Sequence, residues 1–536
     1  MSKRRELVIQ ISLIIGIVFF TQALNLFAIW QNNSDYVFGG IYFNPLDGYS
    51  YLAKMRQGWE GDWQFHLPYT SEKGKGSYLF IFYLLLGHIS RWLGLELPVM
   101  FHLTRFLSTL LLYLVLFKFI KKYFNDPSMV KPAYLLCGLG SGLGWLSLLL
   151  GKVTPDFWLA EAYPLFSSFA NPHFPLGIAL MLILLYDIDS SEPYTSKALV
   201  LRNIFLSICL ALIFPFGIIL ALAIATIAVG IKISTYKSSR LEIKKKEGLS
   251  LIQNSLAILG GGFPVILYQV WVIRSDILLS NWNAQNVTPL PKLSDLIIAF
   301  LPVILLSLLG GLEIVKKGLF EQRLILIWGI VGIGLSLIPF ALQRRFLMGV
   351  YIPLSLLSLI GLKSFIRRLN LPEGYIWFKR AFVGLLILSI PTNAMIGVIT
   401  LNAIKSHNPL LFLYLPEKEA FRWIDTNLPK DAIILAGVDT SLFIPAFTGR
   451  RVIYGHPFET VNAQEEKAYV ADYFANRIES ENALDAVTTL RQKKIGYIFW
   501  GPRERELAGA QSRAINSPYL LPVYQNSGVT IYKVLP

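Results

Sequence analysis

The sequence predicts a polytopic α-helical membrane protein with about 11 to 12 transmembrane helices and a C-terminal extracytoplasmic α/β domain. Three observations lead there. Of the 536 residues, 54% are apolar and only 15% charged, whereas soluble globular chains run nearer a quarter charged. The apolar residues gather into stretches of about 20, the length needed to cross a hydrocarbon core of about 30 Å. From residue 401 onward that pattern gives way to short apolar runs between amphipathic stretches. A long disordered chain needs low hydrophobicity and high net charge, so that class is excluded with the soluble one.

The charge is 49 Lys plus Arg against 34 Asp plus Glu, or +15, with an isoelectric point near 9.5. In a soluble protein this would suggest nucleic acid as partner. Here it follows topology. From Lys405 to the end there are 15 basic and 14 acidic residues, leaving 34 and 20 for the part before it. The basic clusters of that part fall between apolar segments: Lys3, Arg4 and Arg5; Lys118, Lys121 and Lys122; Lys232, Lys237, Arg240, Lys244, Lys245 and Lys246; Lys316 and Lys317; Lys363, Arg367, Arg368, Lys379 and Arg380. Short loops rich in Lys and Arg resist translocation and mark the cytoplasmic side. No nucleic acid is needed to explain them.

Taken in order, 7–30 reads as an uncleaved first span with its N-terminus inside, being too long for a signal peptide and lacking a small-residue cleavage site. The polar, aromatic stretch 31–77 is the first external loop, since it cannot sit in hydrocarbon uncovered. If 78–93 and 99–119 both crossed, the cluster at 118–122 would land outside, so one of the two is expected to be short, tilted or interfacial. Segments 132–150 and 174–186 flank a second external loop, 151–173. An outward and return pair hinges at Phe214-Pro215-Phe216, and five further segments lie near 250–273, 295–315, 323–341, 346–366 and 380–400. This gives a membrane core over 1–400, an external domain over 401–536, and a multi-pass protein of the plasma (inner) membrane. Cys137 and Cys209 lie in apolar stretches as small hydrophobes, without disulfide or metal spacing.

In the last 136 residues, 416–427 has helical periodicity, with Ala420, Phe421, Trp423, Ile424 and Leu428 near one face. The runs 432–436, 451–454 and 495–500 suit buried strands, 463–474 and 483–493 suit helices, and 523–534 suits a hairpin turning at Asn526-Ser527-Gly528.

Chemistry is expected where ionisable groups lie near the membrane but outside the basic clusters. The first loop is richest: Asn44-Pro45-Leu46-Asp47-Gly48-Tyr49-Ser50-Tyr51-Leu52-Ala53-Lys54-Met55-Arg56-Gln57-Gly58, then Pro68-Tyr69-Thr70-Ser71-Glu72-Lys73-Gly74-Lys75-Gly76-Ser77-Tyr78. Asp47 before a short helix also suits an N-cap.

One span, an external Asp leading into Tyr-x-x-x-(small/apolar)-x-x-Gly, a Trp, and a Lys-bearing stretch running into an apolar helix together resemble the first external loop of type C glycosyltransferases. These include the protein O-mannosyltransferases, the aminoarabinose transferases and poorly characterised bacterial branches. Family members commonly carry two adjacent acids there, whereas Gly48 follows Asp47 here.

The resemblance implies a glycosyltransferase, a hexosyl or pentosyl transferase, using a polyprenyl-phosphate sugar donor on the outer face, with a glycan, lipid or protein as acceptor. Asp47 would be the general base, since an acceptor hydroxyl must lose its proton as it attacks the anomeric carbon. One displacement would invert that centre. The lipid phosphate leaving group needs neutralising charge, which the resemblance assigns to Lys73. Arg344 and Arg345, a basic pair on the external side against the charge bias, suit the same phosphate; headgroup snorkelling is their plain alternative. In the second loop Glu161 is the acid chosen as catalytic. Tyr49, Glu72, His173 and His456 are acceptor-binding or structural. Asp47, Glu161 and His173 leave a divalent metal open but show no ligand spacing, so no cofactor is assigned. Two other readings stand beside the enzyme: a transporter or flippase of lipid-linked saccharides, and a noncatalytic membrane protein with an external binding domain, which Gly48 favours.

Overall fold

The computed structural model describes residues 3–124, 126–188, 196–236, 242–317, 322–475, 483–509 and 518–535. Lys237 and Arg240, residues 189–192 of the acidic turn, and the side chains of Lys3, Arg4, Arg5, Lys244, Lys245 and Lys246 lie outside that description. The chain forms two compact units. The first comprises Met1–Gln22, Leu103–Tyr268 and Thr288–Ile399, the second Ala23–His102, Gln269–Val287 and Thr400–Pro536.

The protein is a polytopic helical membrane protein with a C-terminal sheet domain. Among the described residues six helical stretches are long and apolar enough to cross a membrane: Gln10–Trp30, Leu97–Tyr123, Ser128–Leu149, Pro215–Lys232, Leu249–Ser275 and Gly374–Lys405. A seventh is a pair, Leu293–Phe300 and Val303–Lys317, bent by 80°. Ile81–Leu93, His173–Ile188 and Arg323–Leu337 are shorter apolar helices. Of the two segments in question above, Leu97–Tyr123 has 27 residues and Ile81–Leu93 only 13. At about 1.5 Å per residue the latter is about 20 Å long, short of a hydrocarbon core.

Within the first unit, several polar groups of the apolar interior bond to backbone carbonyls, the partners left to them away from water. The Tyr163 hydroxyl donates to the Ala299 carbonyl (2.5 Å) and the Tyr351 hydroxyl to the Ser141 carbonyl (3.0 Å). Buried Arg105, on helix Leu97–Tyr123, donates to the Phe169 carbonyl at 3.0 Å. The loop 151–173 is compact: two short turns, Pro155–Phe157 and Ala160–Ala162, lead into helix Pro164–Phe169.

The second unit contains both sheets. Strand β1 (Tyr36–Phe38) from the first loop pairs antiparallel with β2 (Phe412–Tyr414). The larger sheet comprises β3 (Ile433–Leu435), β4 (Arg451–Val452), β5 (Tyr497–Trp500), β6 (Leu520–Gln525) and β7 (Thr530–Val534), in the order β4-β3-β5-β7-β6. Strand β3 is parallel to β4 and β5 and wholly buried, which is why it reads as a continuous apolar run. β6 and β7 form the expected hairpin. Helices Leu415–Asn427, Ala463–Phe474 and Ala483–Gln492 fall where periodicity places them.

The first loop folds into this unit. Helix Pro45–Glu60 begins with Pro at its first position and an acid in its first turn, and stops at left-handed Gly61 (φ 112°), three ordinary helix-boundary signals. It packs on Ile81–Leu93 through reciprocal glycines. A Cβ at Gly58 would lie 2.0 Å from the Leu84 carbonyl oxygen, and one at Gly87 would lie 1.9 Å from that of Met55. On another side, Tyr49, Leu52 and Ala53 share a core with Phe421, Leu442 and Phe443 of the C-terminal segment. The second half of the loop runs beside β4, where the Val452 N–H donates to the Pro68 carbonyl (3.2 Å) and Arg451 to that of Ser71 (2.6 Å).

Candidate functional site

The ionisable residues singled out above fall into two groups, one in each unit. In the second unit, Asp47 stands in the first turn of helix Pro45–Glu60. The sequence suits Asp47 to the N-cap, but that position is taken by Asn44, held at φ 48°. Asn44 instead donates its side-chain amide to Asp47 Oδ2 at 2.7 Å. Asp47 Oδ1 lies 3.4 Å from His456 Nε2, and the carboxylate keeps 38% of its side-chain surface exposed while the imidazole is buried.

The geometry fixes the tautomer of neutral His456. Its Nδ1 accepts from the backbone N–H of Phe458 (3.1 Å) and of Glu459 (3.2 Å), so the proton sits on Nε2, facing Asp47. A neutral imidazole so held can donate to the carboxylate but cannot take a proton at that nitrogen. Between the two, the carboxylate is the group able to act as a base.

Beside this pair lies an ion pair that sequence reasoning did not single out. Lys54 is fully buried, and its Nζ donates to Glu459 Oε1 (2.9 Å) and to Ser50 Oγ (2.7 Å). It also stands 4.4 Å from the centroid of the Phe80 ring. Asp47, Ser50 and Lys54, spaced by three and four, share one helix face. That spacing was the available signal. The 455–460 turn thus meets the loop helix twice, through His456 and through Glu459. A cavity of about 640 Å³ adjoins the turn, lined among others by Tyr454, Pro457, Phe458 and Gln285.

Gly48 has a packing reason. It is buried, and a Cβ there would lie 2.5 Å from Ile41 Cγ2, leaving no room for a second acid. Tyr49 is fully buried, its ring 4.5 Å from that of Phe443. Burial pushes its hydroxyl far above the usual tyrosine range. Glu72 and Lys73 are exposed. The Lys73 carbonyl lies 3.0 Å from His66 Nδ1.

In the first unit, Glu161, Arg344 and Arg345 come together. Glu161 Oε1 lies 3.6 Å from Arg344 Nε and 3.5 Å from an Arg345 terminal nitrogen. The carboxylate is buried, while the guanidinium side chains keep about a fifth and a quarter of their surface exposed. Arg344 also stacks over Trp158 at 5.1 Å. The Glu161 carbonyl accepts from the Gly349 N–H at 2.8 Å, which ties the second loop to the Gln343–Leu347 turn. Two guanidinium groups face one buried carboxylate.

His173 is buried at the start of helix His173–Ile188, its ring 4.1 Å from that of Phe174 and 6.0 Å from that of Phe214. Asp156, the other acid of the second loop, accepts from the Gly144 N–H (2.9 Å), Thr154 (2.6 Å) and Thr392 (3.0 Å). Burial raises its pKa against those hydrogen bonds, and the residue staples the loop. Among the described residues, no group of three or more His, Cys, Asp or Glu side chains is placed to hold a metal ion.

No protein-family model and no curated protein matches the sequence. Solved structures do. The oligosaccharyltransferase of Archaeoglobus fulgidus, tethered with an acceptor peptide containing the NVT sequon, aligns with a TM-score of 0.51 at 12% identity, covering 92% of this chain and 69% of that one. ArnT from Cupriavidus metallidurans bound to undecaprenyl phosphate aligns with a TM-score of 0.45 at 14% identity, covering 99% and 98%. Identities this low speak to architecture. The likeness to the archaeal oligosaccharyltransferase therefore gives this polytopic chain the type C glycosyltransferase fold that its first loop resembles.

Proposed function

We propose that the protein is an integral membrane glycosyltransferase that moves a sugar from a polyprenyl-phosphate donor to an acceptor on the outer face, inverting the anomeric centre. The observation that carries this reading is the Asp47 carboxylate, partly exposed, with one oxygen accepting from Asn44 and the other 3.4 Å from His456 Nε2. An acceptor hydroxyl within hydrogen-bond reach of it would pass its proton to Asp47 as oxygen attacks the anomeric carbon. The fold and the first-loop motif support the reaction class. The cavity beside Phe458 and Tyr454 is large enough for part of a glycan acceptor.

Arg344 and Arg345 are the groups suited to the donor phosphate, because guanidinium forks match phosphate oxygens and hold charge permanently. Glu161 then serves as their positioning residue rather than a second base, since its carboxylate is buried between them. Lys73, exposed on the loop, is a second candidate for the phosphate. The distribution of the basic clusters supports a cytoplasmic N-terminus and an extracytoplasmic C-terminal domain.

The bent helix pair at 293–317 favours the transporter reading, since broken spans mark substrate sites in transporters. One experiment separates the two. In proteoliposomes carrying a polyprenyl-phosphate sugar, the enzyme releases free polyprenyl phosphate when acceptor is added, and Asp47→Asn stops that release while folded yield in detergent is unchanged. Normal release from Asp47→Asn would remove Asp47 from the mechanism. Movement of intact donor across the bilayer without release would favour the transporter.

A further inference from the structure

Two of the basic clusters that set the charge bias meet at one place in the helical unit. Near the C-terminal ends of helices Leu97–Tyr123, Val303–Lys317 and Tyr351–Arg368, a cavity of about 810 Å³ is lined by Tyr123, Lys317, Lys363 and Arg367 among others. A second cavity of about 570 Å³ shares its Ser128, Tyr375 and Phe378 wall and adds Lys131, Lys379, Phe382 and Val383. Across the two, five cations face two carboxylates, Asp126 and Glu313.

Those carboxylates organise the cations without exhausting them. Glu313 is buried and is met by Lys317 (2.5 Å), Arg367 (2.7 Å), Arg368 (3.4 Å) and the Ser364 hydroxyl (2.9 Å). Asp126 pairs with Lys363 at 3.1 Å. Each guanidinium carries five N–H donors and each ammonium three, so two carboxylates leave donors directed elsewhere. Lys317, Lys363 and Arg367 all keep more than two fifths of their side-chain surface exposed. Lysines that merely snorkel from helix ends need no buried carboxylate at their centre. This arrangement is built around one.

We propose that the two cavities bind an anionic phospholipid. Its phosphodiester sits among Lys317, Lys363 and Arg367, with Lys131 and Lys379 at the edge, and an acyl chain lies along Phe378, Phe382 and Val383. The apolar wall is what selects a lipid over free phosphate, because a soluble anion would gain nothing from it. Juxtamembrane basic groups attract anionic lipid over zwitterionic lipid, and bidentate arginine suits a phosphate oxygen pair. The site lies at the membrane face that carries the basic clusters and does not depend on the glycosyl-transfer reading.

The test uses full-length protein in mild detergent, titrated with dioleoylphosphatidylglycerol or dioleoylphosphatidylcholine and read by native mass spectrometry. The glycerol lipid should bind at least about tenfold more tightly than the choline lipid, and each cation removed should weaken it roughly fivefold. Arg367→Gln withdraws a partner of Glu313, so Lys363→Gln with Lys379→Gln, which leaves Glu313 untouched, is the deciding variant. Equal binding of the two lipids, or wild-type affinity in that double variant, overturns the proposal. Displacement of the lipid by millimolar inorganic phosphate would overturn the lipid assignment in favour of a soluble anion.

Discussion

His456 Nε2 stands 3.4 Å from Asp47 Oδ1, and two backbone N–H groups on the far side of the imidazole fix which nitrogen carries the proton. A residue from the turn after β4 thereby faces a carboxylate on the loop helix, 409 positions earlier in the chain. If Asp47 is the base, Asp47→Asn should lower kcat by about 10²-fold or more, the worth of a positioned base. His456→Gln, which can still donate from its amide, should cost far less than His456→Phe. Equal losses in those two variants would show that the imidazole fills space rather than orienting Asp47.

Lys54 and Glu459 bind the same two segments by charge. Removing one partner of a buried pair costs about 3–5 kcal/mol, whereas replacing both by apolar groups of similar size is often near neutral. Lys54→Met alone should therefore lower the thermal midpoint in detergent markedly. Lys54→Met with Glu459→Leu should recover much of it. A single variant as stable as the parent would mean that the pair contributes nothing to the docking of the loop.

The Arg344, Arg345 and Glu161 group should separate from Asp47 in kinetics. Arg345→Gln should raise the donor KM about tenfold or more, the worth of a charge-assisted contact, with a smaller change in kcat. Glu161→Gln should act in the same direction and more weakly, because it frees the guanidinium directions without removing their charge. A kcat loss from Glu161→Gln comparable to that of Asp47→Asn would return Glu161 to a direct role in proton transfer.

The parts legible in the sequence were those carried by local pattern. The helix Leu415–Asn427 and the β6–β7 hairpin follow from periodicity and turn chemistry, and Asp47 and the arginine pair stand out as charges in unusual places. Helix Val438–Thr448 did not show. It contains Pro445 and is buried at most of its positions, so neither an amphipathic stripe nor a clean composition marks it. Lys54 was hidden for the opposite reason. It sits in a polar loop where a lysine reads as solvated, and only the return of the chain at Glu459 buries it. Pairings across hundreds of residues, Asp47 with His456 and Glu161 with Arg345, depend on topology and leave no local trace.

Glu504 makes the stability of the C-terminal domain depend on pH. It is fully buried, with its oxygens accepting from the Gly437 N–H (2.8 Å) and the Gly501 N–H (2.9 Å). Burial, with the nearby charge of Glu417, outweighs those bonds and pushes its pKa up to about 7. In the unfolded chain it should titrate near the usual glutamate value of about 4.3. Between those values the folded state holds a proton that the unfolded state has lost, so stability falls as pH rises. The contribution is complete below the lower value, declines through the window, and is gone once pH passes about 7, a span of about 3–4 kcal/mol. Glu504→Gln, neutral at every pH, should flatten that decline in thermal melts between the two values, while the parent loses stability steadily. An unchanged slope in the variant would place the pH dependence on other groups.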